Sequence, residues 1–553
     1  MKNKLMADLL LPDVALGRED IIAKYPERTL PEGAMVTRFA PSPTGRLHVG
    51  GIYASLVFER LAHQSGGVCY LRIEDTDRKR EMQGSIADII DSLDYFGIHF
   101  DEGPTAEGLQ KGAYGPYKQS EREGIYKVFV RELLERGLAY PCFCTAGDLA
   151  ALRKKQKECG AMPGYHGEWA IHRDMTYEQA KVEIEKGKPF VIRLKSPGSM
   201  NNRVSFNDLI KGLVDMPEND QDIVILKSDS LPTYHFAHAV DDFLMGTTHV
   251  LRGDEWLSSV PVHLQLFDIL GFKRPQYGHI SPIMKLDGVS KRKFSKRKDL
   301  DGIAEFYLKQ GYPGLALVEY FMSLINSNYE EWRAGNPAAP YTAFTVDIGK
   351  MSASGALLDM NKLNDTSKEV ISKFSAEQVC SQVCSWSEKY DTELYGLIKA
   401  NKEYAADIFN IGRAVPKPRK DIVEWSDIKP VFSYFYDELF DGNNAAACFE
   451  LPSKVPAETA KAIVHEYMKV YNFSDDKDTW FSKVRDVAGE FGFAKDMKLY
   501  KKNPEQYAGN VGDVAMILRI ALTGRSNTPD LYDVMQVMGE ERCLKRLQLF
   551  AGE

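Results

Sequence analysis

His48, Gly50 and Gly51 stand where a short apolar run gives way to a helical pattern, and that placement suits phosphate chemistry. Met35 to Ala40 reads as a strand, which Pro41 and Pro43 stop by fixing φ. Ile52, Leu56, Val57 and Leu61 then repeat at helical spacing as far as Gln64. The strand must turn sharply into the helix, with Gly45 as a permissive turn residue. Gly50 and Gly51 let a ligand approach the backbone at the helix start, where free N–H groups and the positive dipole end favour a phosphate. An imidazole beside that site can donate to phosphate oxygens. Residues 291–298 read Lys-Arg-Lys-Phe-Ser-Lys-Arg-Lys, six of eight basic, which is either a solvated charge run or an anion-binding loop. Arg38 and Arg252 are residues of the type that pairs bidentately with a carboxylate. Glu74, with Asp75 and Asp77, closes a strand at the edge where open α/β sheets bind ligands. Asp75 and Asp77 also fit turn and cap roles.

The elements that must hold these groups alternate. Val68 to Ile73 reads as a second strand and Ile86 to Phe96 as a helix, a β–α–β rhythm that implies a parallel sheet with crossover helices. Residues 116 to about 225 read as an insertion, opening with helix from Ser120 to Arg136 and closing with a β segment, Pro189 to Lys195. Ile223 to Lys227, a buried-type strand, is expected to open the second half of the sheet. Tyr234, His238 and Arg252 converge on the His48 loop if the two halves pack side by side. From about 303 the pattern is helical, and the amphipathic helices after 375 suit a bundle, with Trp386, Trp425 and Trp480 as core residues. Two basic segments there, Arg413 to Lys420 and Lys498 to Lys502, fit RNA phosphates or solvent equally well. Residues 1–34 read as a charged helical extension without assignable chemistry.

The whole chain bounds these readings. Its 553 residues allow roughly three to five domains. A net charge of −8 argues against indiscriminate nucleic-acid binding but leaves room for a local basic groove. No apolar run approaches the ~20 residues of a membrane span. Asp8 interrupts the N-terminal apolar run and no small-residue cleavage site follows, so no signal peptide is read. Eight cysteines without a regular framework fit a reducing compartment. Cys142-Phe143-Cys144 with Cys159 and His166 could form a tetrahedral zinc site, and reduced thiols are the other reading.

The stretch APSPTGRLHVGG resembles the first signature of class I aminoacyl-tRNA synthetases, in the form typical of glutamyl-tRNA synthetases. RIEDTDR, PTYHFAHAVDD, VLRGDEW and KFSKR, with the ALTGR and PDL segments near the end, resemble the same bacterial-type family in order, over nearly the whole chain after residue 35. The resemblance implies an α/β fold: a class I Rossmann-like parallel-sheet catalytic domain split by an α+β insertion, followed by all-helical C-terminal domains. Its bounds are an extension at 1–34, catalytic halves at 35–115 and 226–302, and an acceptor-end-binding insertion at 116–225. A stem-contact linker at 303–374 and anticodon-binding domains at 375–553 complete it. The implied reaction is ATP-dependent attachment of glutamate to tRNA through glutamyl-adenylate. His48, Lys296 and Lys293 would stabilise phosphate charge. Pro43, Gly45, His48, Gly50, Gly51, Glu255, Ser295 and Lys296 would meet ATP, and Mg²⁺ would bridge its phosphates. Arg38 and Tyr234 would read the side-chain carboxylate, Arg252 the α-carboxylate, and Glu74 with Ser42 the ammonium. His238 stands where the family often has asparagine. Zinc-binding members carry a later C-x-H pair where this chain has Gly167-Glu168-Trp169-Ala170, which makes zinc the less favoured reading. Implied partners are tRNA-Glu, with tRNA-Gln left open, acting on a cytoplasmic monomer. The competing readings are a glutaminyl-tRNA synthetase and a catalytically inactive synthetase-like RNA-binding protein. The APSPTG form and the helical C-terminal region count against the first. His48, Lys296 and Arg38 count against the second.

Overall fold

The computed structural model describes residues 2–77, 82, 84–294, 298–440, 451–452 and 455–552. Ser295 and Lys296, two of the expected ATP contacts, lie outside the described residues. The chain divides into two compact units, Met1–Leu308 with Leu317–Met360, and Lys309–Ala316 with Asn361–Glu553.

In the first unit, β1 (Val36–Phe39) is buried at every position, as a parallel strand covered on both faces must be. Helix α1 (Val49–Gln64) buries Val49, Ile52, Leu56, Val57 and Leu61, the stripe legible in the sequence, and starts three residues earlier than that stripe. It returns the chain to β2 (Val68–Leu71), parallel to β1 from Val36↔Val68 to Phe39↔Leu71. The insertion then contributes β3 (Ala139–Cys142), β4 (Val191–Leu194), an antiparallel hairpin of β5 (Arg203–Asp208) and β6 (Gly212–Pro217), and β7 (Val224–Leu226).

Strand β7 corrects the sequence reading. It does not open the second half of the parallel sheet; it pairs antiparallel with β4, which pairs antiparallel with β3. A short apolar run records burial and carries no partner information. Here the main chain of Leu194 and Ile223 meets first, at 2.9 Å.

Helix α2 (Tyr234–Leu244) leads to β8 (His249–Gly253), and α3 (Val260–Leu270) to β9 (Gln276–Ile280), parallel to β8. The two parallel pairs stand side by side: Thr248 N–H donates to the Val36 carbonyl at 3.1 Å, and Val36 N–H to the Thr248 hydroxyl at 2.8 Å. This is the approach that convergence on the His48 loop requires. β10 (Met284–Asp287) and β11 (Ser290–Lys293) form a hairpin beyond β9.

The N-terminal segment is part of this unit's core. Helices Lys2–Leu10 and Arg18–Ile22 bury Met6, Ala7, Leu10 and Ile21, with Leu11 just after the first, among Tyr126, Phe129 and Leu133 of helix Glu123–Glu135. Full burial of each larger aliphatic is worth about 1.5–3 kcal/mol. Arg28 clamps the Glu102 carboxylate at 2.7 and 2.8 Å and donates to the Met245 carbonyl at 2.8 Å.

The second unit is helical wherever regular structure is described, from Met360–Lys373 to Glu540–Ala551. Trp386, Trp425 and Trp480 are buried in one apolar cluster, in agreement with the core reading. Arg413 is buried too, and donates to the carbonyls of Phe409, Ile371 and Phe374. It satisfies chain ends inside the unit and is unavailable to RNA.

Candidate active site

A cavity of about 550 Å³ opens where β1 and β8 end and α1 begins. Arg38, Ser42, His48, Gly50, Gly51, Glu74, Tyr234, Arg252, Glu255 and Lys293 all line it. Residues from five separate stretches of sequence thus share one space. Three expected contacts do not line it. Pro43 is buried, and its carbonyl accepts from Met82 N–H and the Ser85 hydroxyl, each at 3.0 Å. Gly45 adopts φ +148°, which fits its turn role. His238 stands one layer back. It is fully buried, with Nδ1 2.7 Å from Asp242 and Nε2 3.1 Å from the Tyr277 hydroxyl.

His48 caps its own helix. The Gly50 N–H donates to His48 Nδ1 at 3.1 Å, and the Gly51 N–H to the His48 carbonyl at 2.7 Å. Both N–H groups are engaged within the turn, and both glycines line the cavity. The glycines supply space: a Cβ on Gly51 would lie 2.8 Å from Leu47 Cδ1. With Nδ1 accepting, the neutral ring carries its proton on Nε2, the side toward Gly302 and the Phe294 ring.

Arg38 is held by charge. Its Nε lies 3.2 Å from Asp242, and Nη1 donates to the Leu251 carbonyl at 3.1 Å. Asp242 also accepts from Arg72 at 2.5 Å, and Arg72 donates to Glu74 at 3.1 Å. Arg122 and Asp241 extend the network at 2.7 Å. Three guanidinium groups thus share three carboxylates. Burial pushes the Asp242 carboxyl upward, but Arg38 and Arg72 outweigh it and hold the group well below its ordinary pKa. Burial dominates at Glu74 and raises its pKa despite Arg72. It also keeps the Tyr234 hydroxyl protonated and able to donate.

Arg252 is held without charge. Nε donates to His279 Nε2 at 3.0 Å, Nη2 to His263 Nδ1 at 3.1 Å and to the Trp256 carbonyl at 3.3 Å, and Nη1 to the Tyr234 hydroxyl at 3.4 Å. Among the described residues, no carboxylate touches it.

This geometry, two guanidiniums, a carboxylate and a helix-start histidine around one cavity in a split parallel sheet, has counterparts. A family model described as "tRNA synthetases class I (E and Q), catalytic domain" matches residues 34–364. The chain belongs to this family. A model described as an anticodon binding domain matches residues 498–551. The chain is 53% identical over 550 residues to a glutamate–tRNA ligase of Clostridium perfringens, covering 100% of both chains. It is 49% identical over 551 residues to one of Clostridium beijerinckii, again covering 100% of both. Its structure resembles the crystal structure of a glutamate tRNA ligase from Elizabethkingia meningosepticum, with a TM-score of 0.73 and 27% identity, over 94% of this chain and 99% of that one.

Within this class I synthetase fold, sequence reasoning missed the layer behind the cavity. Arg72, Asp242, His263 and His279 each fix a lining residue, and Asp208 in turn fixes His279. One signal was readable: His238 and Asp242 lie four apart on α2, where helical neighbours meet. Asp75 is not the N-cap residue read for it: its carboxylate reaches across the fold and accepts from the Ser120 N–H at 2.8 Å and the Ser120 hydroxyl at 2.6 Å.

The cysteine site is rearranged. Cys142, Cys144 and His172 present ligand atoms within 4.8 Å of one another. Cys159 is exposed and donates to the Gln156 carbonyl, while His166 faces Asp220 and the Met162 carbonyl. His172 therefore replaces both in any ligand set. The Tyr165 hydroxyl, 3.4 and 3.5 Å from the two thiols, occupies a fourth side.

The helical unit carries its own cavity of about 480 Å³, lined by Lys417, Arg419, Arg525, Asn527 and Thr528 among others. Lys417 and Arg419 come from the first basic segment; Lys498 to Lys502 lie on the short helix Met497–Lys502, exposed at all but Tyr500. No helix among the described residues is long and apolar enough to cross a membrane.

Proposed function

We propose that this chain is a glutamate–tRNA ligase: it joins L-glutamate to the 3′ end of tRNA-Glu through glutamyl-adenylate, releasing diphosphate and then AMP. One observation carries the reading. Arg38, Glu74, Tyr234 and Arg252 line the same cavity as His48, so a glutamate and the phosphates of ATP fit within reach of each other.

The substrate supplies its own nucleophile. An oxygen of the glutamate α-carboxylate attacks the α-phosphorus, and diphosphate leaves. The ribose hydroxyl of the tRNA terminus then attacks the activated carbonyl, and AMP leaves. The protein positions the reactants and stabilises charge. His48 Nε2–H and the Lys293 ammonium face the charge that builds on phosphate, and Lys296 has the residue type and sequence position to join them. Mg²⁺ bound to the ATP phosphates would supply counter-charge there. Arg252 takes the α-carboxylate, Arg38 and Tyr234 the side-chain carboxylate, and Glu74 with Ser42 the ammonium. Glutamine is rejected because its amide NH2 can only donate, and it would face the donors of Arg38 and Tyr234 where a carboxylate offers a second acceptor oxygen.

The test is charging with labelled glutamate, using tRNA-Glu and tRNA-Gln side by side. Charging of tRNA-Glu supports the reading, and tRNA-Gln in the same assay defines the range of anticodons accepted. Charging of neither by folded protein contradicts it and favours an RNA-binding relic.

A further inference from the structure

Arg252 is a buried cation whose described side-chain partners are all neutral. It is 6% exposed and donates to two imidazoles, a phenol and a carbonyl. A guanidinium can only donate, so both imidazole nitrogens facing it must be unprotonated acceptors. His279 Nδ1 then carries the proton and gives it to Asp208 at 2.6 Å. Asp208 is itself fixed by N–H groups of Ile210 and Lys211, at 3.0 and 2.9 Å. His263 Nε2 likewise carries a proton and gives it to His235 Nδ1 at 2.9 Å. Two relays, one ending on a carboxylate and one on a second imidazole, thus present only lone pairs to Arg252.

We propose that His263 and His279 are positioning residues for substrate binding: they orient Arg252 through neutral acceptor nitrogens and so leave its full positive charge for the substrate's carboxylate. This rests on the reading of the cavity as a glutamate site. A carboxylate in either place would orient Arg252 equally well but would compete with the substrate for its charge. An alkyl side chain would leave the charge available but the guanidinium unaimed. Burial pushes both imidazoles below their ordinary pKa, and Arg252's charge adds to the effect. Asp208 sets the tautomer of His279 from a position one ring away from the cation, an arrangement familiar for metal-bound histidines.

The experiment is glutamate-dependent ATP–pyrophosphate exchange by the full chain in the presence of tRNA-Glu. It compares His279→Gln, His279→Glu, His263→Gln and His263→Glu with the unaltered protein, recording KM for glutamate and for ATP separately. Glutamine keeps a neutral acceptor and should raise the glutamate KM only about threefold. Glutamate places an anion on Arg252 and should raise it by roughly a hundredfold, with the ATP KM within about twofold. Where a buried carboxylate prevents folding, Leu replaces Glu at that position: loss of the acceptor should raise the glutamate KM about tenfold over the Gln variant. Folded Glu or Leu variants that match their Gln counterparts overturn the proposal alone. Absence of exchange in the unaltered protein overturns the glutamate reading beneath it.

Discussion

Two arginines line one cavity and are held in opposite ways. Arg38 sits in a network of three guanidiniums and three carboxylates, its charge shared with Asp242. Arg252 touches no described carboxylate and rests on the neutral nitrogens of His263 and His279. The difference separates two tasks that a single residue type can serve. A guanidinium locked to an anion keeps its shape whether or not substrate is present, and its remaining donors read geometry. A guanidinium on neutral acceptors keeps its charge for whatever enters. For a substrate with two carboxylates, the first arrangement suits discrimination of carboxylate from amide, and the second suits anchoring.

The comparison breaks most visibly at Asp242. Asp242→Ala leaves Arg38 and Arg72 buried without their shared anion, and the cost expected is about 3–5 kcal/mol. It should appear as a large drop in the first transition of a thermal melt. Arg252→Ala orphans no ion, so its melt should stay close to that of the unaltered protein while glutamate activation falls roughly a hundredfold or more. Arg38→Ala should do both in part, lowering stability and erasing discrimination between glutamate and glutamine. Unchanged discrimination in that variant would sink the role assigned to Arg38. His48→Ala sharpens the contrast from the other side of the cavity: turnover should fall roughly 10²–10³-fold with the glutamate KM unchanged.

Smaller effects follow from protons. Burial raises the Glu74 carboxyl, so it gains a proton at a higher pH than an ordinary carboxylate and then loses its attraction for the substrate ammonium. The glutamate KM should therefore rise as pH falls, by a few-fold, and Glu74→Gln should flatten that slope while raising KM throughout. Outside the site, His63 bridges Asp101 and Glu59, and hydrogen bonds to those two carboxylates push its pKa from 6.5 up to about 10. A raised folded-state value contributes stability that is complete below pH 6.5 and fades as pH rises through about 10. His63→Gln should remove that slope from the melting temperature and leave catalysis alone, an effect of no more than about 1 kcal/mol at so open a position.

Much of the lining was legible in the sequence because each lining residue sits beside a local marker: a proline turn for Ser42 and His48, a strand end for Glu74 and Arg252, a helix start for Tyr234. The α1 stripe and the tryptophan core were legible for the same reason, since periodicity is written in neighbouring residues. What was not legible depends on contacts between distant stretches. Asp208 and His279 are 71 residues apart and meet only when β5 touches β9. β7 reads as a generic buried strand, and its partner β4 is chosen by the path of the insertion. His166 and His172 are equivalent by composition; only the fold brings the second to Cys144. Burial of the N-terminal helices likewise depends on a surface of helix Glu123–Glu135 that no local pattern announces.

The measurement that meets the central claim most directly is ATP–pyrophosphate exchange driven by glutamate with tRNA-Glu present, in the unaltered chain and in Arg252→Ala. The account expects robust exchange in the first and at least a hundredfold loss in kcat/KM for glutamate in the second, with both proteins melting alike. Exchange by the variant at the unaltered rate and the same glutamate KM would contradict it, because a buried cation that no described carboxylate touches would then have no part in holding the substrate.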